Sequence, residues 1–229
     1  MNRAQVKAAL LEIGIIPAVR LETSDDALFA AEAVASGGIP VVEVTITVPN
    51  AIEVIETLAK KNPNVITGAG SILDLAWAQR SLDAGAKFLT SPGLDLGVVE
   101  FAVNQGIAVL PGALTPSEVM AAAKAGADFV KIFPCSQVGG PAYIRALKSP
   151  FKDVPLIASG GVNQQTAGEF ILAGASVLGI GRDLIQPRAI RQRERDWIRE
   201  LALRFSRIVK DARAQQAEAA GSAKPRAAI

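Results

Sequence analysis

Short apolar runs rich in β-formers alternate with stretches whose apolar positions recur at helical spacing, and the alternation repeats eight times. The runs begin near Ile15, Val41, Val65, Lys87, Ala108, Asp128, Pro155 and Ser176. Most are continuously apolar rather than alternating, as parallel strands covered on both faces should be. Glycines precede most of them, at Gly37-Gly38, Gly85, Gly106, Gly126 and Gly174. A left-handed residue there closes a helix before the next strand. Eight βα units in a chain of 229 residues predict a closed (β/α)8 barrel. The alternative is a doubly wound open sheet, but nothing marks a domain break. Gly68-Ala69-Gly70 lacks the third glycine and the acidic partner of a dinucleotide loop, so it reads as a strand-end turn.

The last helical stretch, Ala189 to Ala212, carries the apolar stripe Ile190, Trp197, Leu201, Phe205, Ile208 and Ala212, which predicts core packing. Residues beyond it are mostly Ala, Gln and Glu, with Gly221 and Pro225. The expected organisation is one barrel domain over residues 1–213 and a flexible tail over 214–229. A composition that is 50% hydrophobic suits one large domain with a deep core. The net charge of +2 is unevenly spread: residues 188–213 hold nine Lys/Arg against four Asp/Glu, while residues 1–187 are net acidic. Without aromatic residues interleaved on a binding surface, this basic stretch reads as a solvated helix face, so neither nucleic acid nor membrane is expected as a partner. No run is long and apolar enough to span a bilayer. The N-terminal apolar stretch is interrupted by Glu12, Pro17 and Arg20, unlike a signal peptide. The single cysteine, Cys135, excludes an intramolecular disulfide and fits a reducing cytoplasm.

The chain contains no histidine. That removes the commonest general base and the commonest metal ligand. No tight carboxylate cluster offers an all-oxygen site, so neither metal nor cofactor is expected. Lys131 sits near the end of the apolar run Ala127-Asp128-Phe129-Val130-Lys131-Ile132-Phe133-Pro134. Desolvation disfavours an ammonium there, and a neutral amine is what Schiff-base chemistry on a carbonyl needs. The alternative is a lysine snorkelling from a strand end.

In such barrels the active site lies at the C-terminal ends of the strands. Glu43 and Lys131 both fall inside apolar strands, and a lone buried charge of either sign is costly. If both point into one barrel mouth, each explains the other, as a buried ion pair or as a nucleophile with its acid/base. The loops Ser159-Gly160-Gly161 and Gly179-Ile180-Gly181-Arg182 follow the last two strands, where barrels bind phosphate through backbone N–H groups and a helix N-terminus. Cys135, beside this region, reads as either a reactive thiol or a small buried residue, the latter being favoured.

Several segments resemble the 2-keto-3-deoxy-6-phosphogluconate (KDPG) aldolase family, which includes bifunctional enzymes that also cleave 4-hydroxy-2-oxoglutarate (KHG). They are Val42-Glu43-Val44-Thr45, Gly68-Ala69-Gly70-Ser71, Ser91-Pro92-Gly93, Pro111-Gly112, Val130-Lys131-Ile132-Phe133-Pro134 and Ser159-Gly160-Gly161, in the family's order over about residues 5–210. The resemblance implies a homotrimeric, metal-free class I aldolase acting on a small keto acid. By position, Lys131 matches the Schiff-base lysine and Glu43 the general acid/base. Ser71 stands where threonine is common, near the pyruvate carboxylate. Pro92 and Phe133 match pocket residues, and Gly160 and Gly161 the phosphate loop, with Ser159 in place of a threonine. Two positions are notable departures. Thr47 occupies a position that is arginine in some members, where it helps clamp the substrate carboxylate, and threonine in others, which makes Arg20 the candidate replacement. Arg182, after Gly181, stands where many have serine. Two other readings keep the barrel: a phosphosugar isomerase or epimerase with Glu43 as base, and a non-catalytic ligand-binding or assembly barrel.

Overall fold

The computed structural model describes residues 1–222. Its strands are β1 (Ile15–Val19), β2 (Val41–Thr45), β3 (Ile66–Gly70), β4 (Phe88–Thr90), β5 (Ala108–Leu110), β6 (Gly112–Ala113), β7 (Val130–Ile132), β8 (Leu156–Ser159) and β9 (Val177–Ile180). All pair in parallel, in the order β5-β4-β3-β2-β1-β9-β8-β7-β6. β5 and β6 are one of the expected runs, divided at Pro111. Proline has no N–H to give to a ladder, and the chain changes partners there, from β4 on one side to β7 on the other. That segment closes the ring, so the eight expected runs form a (β/α)8 barrel.

The helices are α1 (Arg3–Ile13), α2 (Ser24–Ser36), α3 (Ala51–Lys61), α4 (Leu75–Asp83), α5 (Leu96–Asn104), α6 (Pro116–Lys124), α7 (Pro141–Lys148), α8 (Ala167–Leu172), α9 (Pro187–Arg191) and α10 (Arg195–Ser222). Their apolar faces and the outward strand residues form one continuous core around the barrel. A second core fills the lower interior: Ile16, Val41, Ile66, Phe88, Ala108, Phe129, Ile157 and Val177 point inward from successive strands. Strand period two then turns the residues two positions on, Ala18, Glu43, Gly68, Thr90, Leu110, Lys131, Ser159 and Gly179, to the same interior at the upper end.

Two elements differ from expectation. The N-terminal stretch, given no element from the sequence, is a helix that plugs the lower mouth with Val6 and Leu10. A reciprocal capping box between Asn2 and Gln5 starts it and Gly14, at φ 72°, ends it. Arg3 fastens it through a 2.9 Å ion pair to buried Asp128. The expected final helix is broken in two at Arg193, whose φ is 52°. Its guanidinium pairs with Asp25 and Asp26 and lies over Phe29, fixing the break against α2. The break changes the buried face: Ile198 replaces Trp197, which is 38% exposed. α10 continues to Ser222 through the start of the segment expected to be a flexible tail, and residues 223–229 lie outside the described residues.

Candidate functional site

One cavity of about 320 Å³ opens at the C-terminal ends of the strands. Arg20, Glu43, Ser71, Pro92, Lys131, Phe133, Ser159, Gly160, Gly161, Gly181 and Arg182 all line it. Thr47 does not. It is exposed on the loop after β2, and its hydroxyl lies 2.8 Å from that of Thr45.

β7 delivers Lys131, whose N–H bonds the Pro111 carbonyl at 2.8 Å, a contact set by the strand division at that proline. The ammonium Nζ lies 3.8 Å from Glu43 Oε1, with side-chain exposures of 11% and 5%. It also sits 5.6 Å from the centre of the Phe133 ring. Two strands therefore present an amine and a carboxylate to each other, sheltered from bulk water yet open to the cavity.

β3 makes room for them. Gly68-Ala69-Gly70 is not a strand-end turn but the body of β3. A Cβ at Gly68 would lie 2.3 Å from the Phe88 ring, and one at Gly70 would lie 2.1 Å from Glu43 Oε1. Above Ile66 the strand contributes no inward side chain, so the carboxylate lies over the backbone at Gly70. Gly112 works the same way: a Cβ there would come within 2.3 Å of the Pro92 carbonyl. The Gly112 N–H reaches Ser91 Oγ at 3.3 Å and the Gly93 carbonyl at 3.2 Å, which fixes the Pro92 wall.

Two groups of anion donors flank the pair. On one side, Arg20 donates to Ser71 Oγ at 3.2 Å, reaching past β2 from the end of β1. On the other, Gly160 and Gly161 have φ values of 88° and 82°, and the N–H groups of Gly161, Val162 and Arg182 have no hydrogen-bond partner among the described residues. Such a concave row of free N–H groups suits an anion. The helix expected to help begins only at Ala167, after a turn in which Asn163 and Thr166 bond each other, so the loop backbone alone supplies these donors. Ala18, Gly179, Asp183 and Ile185 also line the cavity. Ala18 and Gly179 were legible by strand parity from Arg20 and Gly181; Asp183 and Ile185 belong to a loop with no such period. Desolvation holds the Asp183 carboxyl above its usual range. Cys135 is fully buried, and burial pushes its thiol to about 12.

A closed barrel with a lysine and a carboxylate in contact distance at its upper mouth defines the class: a barrel enzyme equipped for amine chemistry on a carbonyl. The chain belongs to the KDPG and KHG aldolase family, whose model matches residues 6–201. It is 31% identical over 194 residues to the 2-dehydro-3-deoxy-phosphogluconate aldolase of Pseudomonas aeruginosa, covering 85% of this chain and 87% of that one. It is 32% identical to the KHG/KDPG aldolase of Escherichia coli K12, covering 82% and 88%. The crystal structure of the Legionella pneumophila KDPG aldolase, with pyruvate captured as a covalent carbinolamine, superposes with a TM-score of 0.81 at 30% identity, covering 86% and 96%. The chain is thus a class I aldolase, a carbon–carbon lyase, and the isomerase and non-catalytic readings fall away.

Proposed function

We propose that this enzyme cleaves KDPG to pyruvate and glyceraldehyde 3-phosphate, and KHG to pyruvate and glyoxylate, through a Schiff base on Lys131. The observation that carries the proposal is the 3.8 Å approach of Lys131 Nζ to Glu43 Oε1 inside one cavity. The Lys131 amine adds to the C2 ketone, giving a carbinolamine that loses water to become a protonated imine. Glu43, directly or through a water, takes the proton of the C4 hydroxyl. The C3–C4 bond breaks, its electron pair flows into the imine to form an enamine, and the aldehyde departs. Glu43 returns its proton to C3, and water hydrolyses the resulting imine to free pyruvate and the amine. One carboxylate acts as base and then as acid, which suits a chain without histidine. Arg20 with Ser71 receives the pyruvate carboxylate, since Thr47 stands outside the cavity. The N–H groups of Gly161 and Val162 receive a distal phosphate.

A homotrimer is the assembly we infer. Leu73 and Leu75, 62% and 50% exposed beside the Ser71 loop, and Leu96, 46% exposed, offer apolar surface for it. The buried, reduced cysteine fits a cytoplasmic site of action, and KDPG cleavage would serve the Entner–Doudoroff route of carbohydrate metabolism. The test is borohydride reduction with pyruvate. The peptide containing Lys131 gains mass, and Lys131→Ala loses both labelling and cleavage; labelling at another lysine would overturn the assignment.

A further inference from the structure

The loop after β9 carries a cation that no other side chain engages among the described residues. Arg182 is exposed, lines the cavity, and has neither a hydrogen bond nor an ion pair from its side chain among the described residues. The other cations of the cavity are committed: Arg20 to Ser71, and Lys131 to Glu43. At the Gly161 end there are thus two kinds of anion donor. The N–H groups of Gly161 and Val162 belong to the loop backbone and hold one position. The Arg182 guanidinium ends a long rotatable chain, and its planar fork matches the two oxygens of a carboxylate.

The two substrates of the proposed reaction differ at this end. In KDPG the phosphorus lies several bonds beyond C4, whereas in KHG the distal carboxylate is bonded to C4 directly. With C2 held on Lys131, those two anions cannot occupy one point, and a fixed row of N–H groups can meet only one of them. We propose that Arg182 is a specificity-determining residue that holds a carboxylate attached to C4, leaving a more distant phosphate to the Gly161 and Val162 N–H groups. The inference rests on the aldolase reading above and extends it to 2-oxo acids that end in a carboxylate. Asp183 is the neighbouring acid, and no ion pair joins it to Arg182.

The experiment compares wild type, Arg182→Ser and Arg182→Lys on KHG, KDPG and 2-keto-3-deoxygluconate, which has no distal anion. In Arg182→Ser, the ratio of kcat/KM on KHG to that on the neutral substrate falls by about 10-fold or more, the worth of a hydrogen bond to a charged group. The corresponding KDPG ratio falls by less than about threefold. Arg182→Lys keeps the charge but not the fork, and stays low on KHG. Equal losses on KHG and KDPG, an undiminished KHG ratio, full recovery by lysine, or a wild type that turns over KDPG but not KHG overturns the inference. Pyruvate has no distal anion, so failed borohydride trapping counts against the aldolase reading itself and is distinguishable from each of these.

Discussion

A single methyl group added at Gly70 tests whether the position of the Glu43 carboxylate, and not only its charge, drives cleavage. In Gly70→Ala the new Cβ would lie 2.1 Å from Glu43 Oε1 and 2.5 Å from both Cδ and Cγ, where ordinary contact begins at 3.4 Å. The carboxylate must therefore retreat by about 1 Å or more, and a misplacement of that size costs about 10²-fold in rate. The backbone at Gly70 is not left-handed, so alanine fits it without strain, and the folding cost is that of overpacking, about 1–3 kcal/mol. Glu43→Gln removes the proposed base outright and should cost about 10² to 10⁴. Both changes act through one carboxylate, so the double variant should be no slower than Glu43→Gln alone. Pyruvate release is measured for all four proteins, with melting curves to confirm folding and borohydride trapping to confirm that Lys131 still reacts. The reasoning fails if folded Gly70→Ala stays within about threefold of wild type, or if the double variant shows the product of the two losses.

Three other outcomes are expected. Cleavage should be indifferent to EDTA, because no group of three or more His, Cys, Asp or Glu side chains among the described residues could hold a metal; loss of activity restored by added metal would count against this. The Cys135 thiol, raised from 9.0 to about 12 by burial, should resist iodoacetamide in the folded enzyme and react at the rate of unfolding. The unfolded chain loses this proton first, so its contribution to stability declines as pH climbs from 9.0 toward about 12; fast labelling of the native protein near pH 8 would refute the assignment. Arg213 donates to the carbonyls of Glu12 and Leu11 at 2.7 Å and of Ser176 at 3.0 Å, so Arg213→Ala should lower stability by about 2–3 kcal/mol in denaturant melts while leaving kcat/KM unchanged.

The barrel was legible because its strands are covered on both faces and its helix ends are marked by glycines, both of which leave a local trace. α1 leaves one too, in Asn2, Gln5 and Gly14, but a lone helix before the first strand belongs to no repeat. The break at Arg193 leaves none. It depends on Asp25, Asp26 and Phe29, more than 160 residues away, and with it goes the phase of the final helix, which is why the local pattern puts Trp197 in the core. The long reach of α10 has the same character. Its fastening is made by Arg213 to α1 and by Gln216 to the Ile171 carbonyl, contacts that local composition cannot announce.

The site divides along the same line. Lys131 and Glu43 stood out because a charge in an apolar strand demands a partner, and the demand can be read without knowing the partner. The glycines of β3 also stood out, but as a turn, because glycine in sequence signals either conformational freedom or close approach and does not say which. Only the closed ring decides it. Glu43 on β2 reaches across β3, where any inward side chain would lie between the carboxylate and the interior, so Gly68 and Gly70 are small for their neighbours' sake and not for their own torsions. The same ring sets the order of charges at the mouth. Pairing of Pro17 with Ile180 puts the Arg20 and Arg182 loops side by side, with Lys131 two strands beyond Arg182. Arg20 leans away toward Ser71, past β2, which leaves Arg182 as the charged donor beside the Gly161 loop among the described residues. That separation would give a substrate with an anion at each end a defined direction across Lys131, the lysine proposed to form the Schiff base, and it arises from strand order rather than from any residue taken singly.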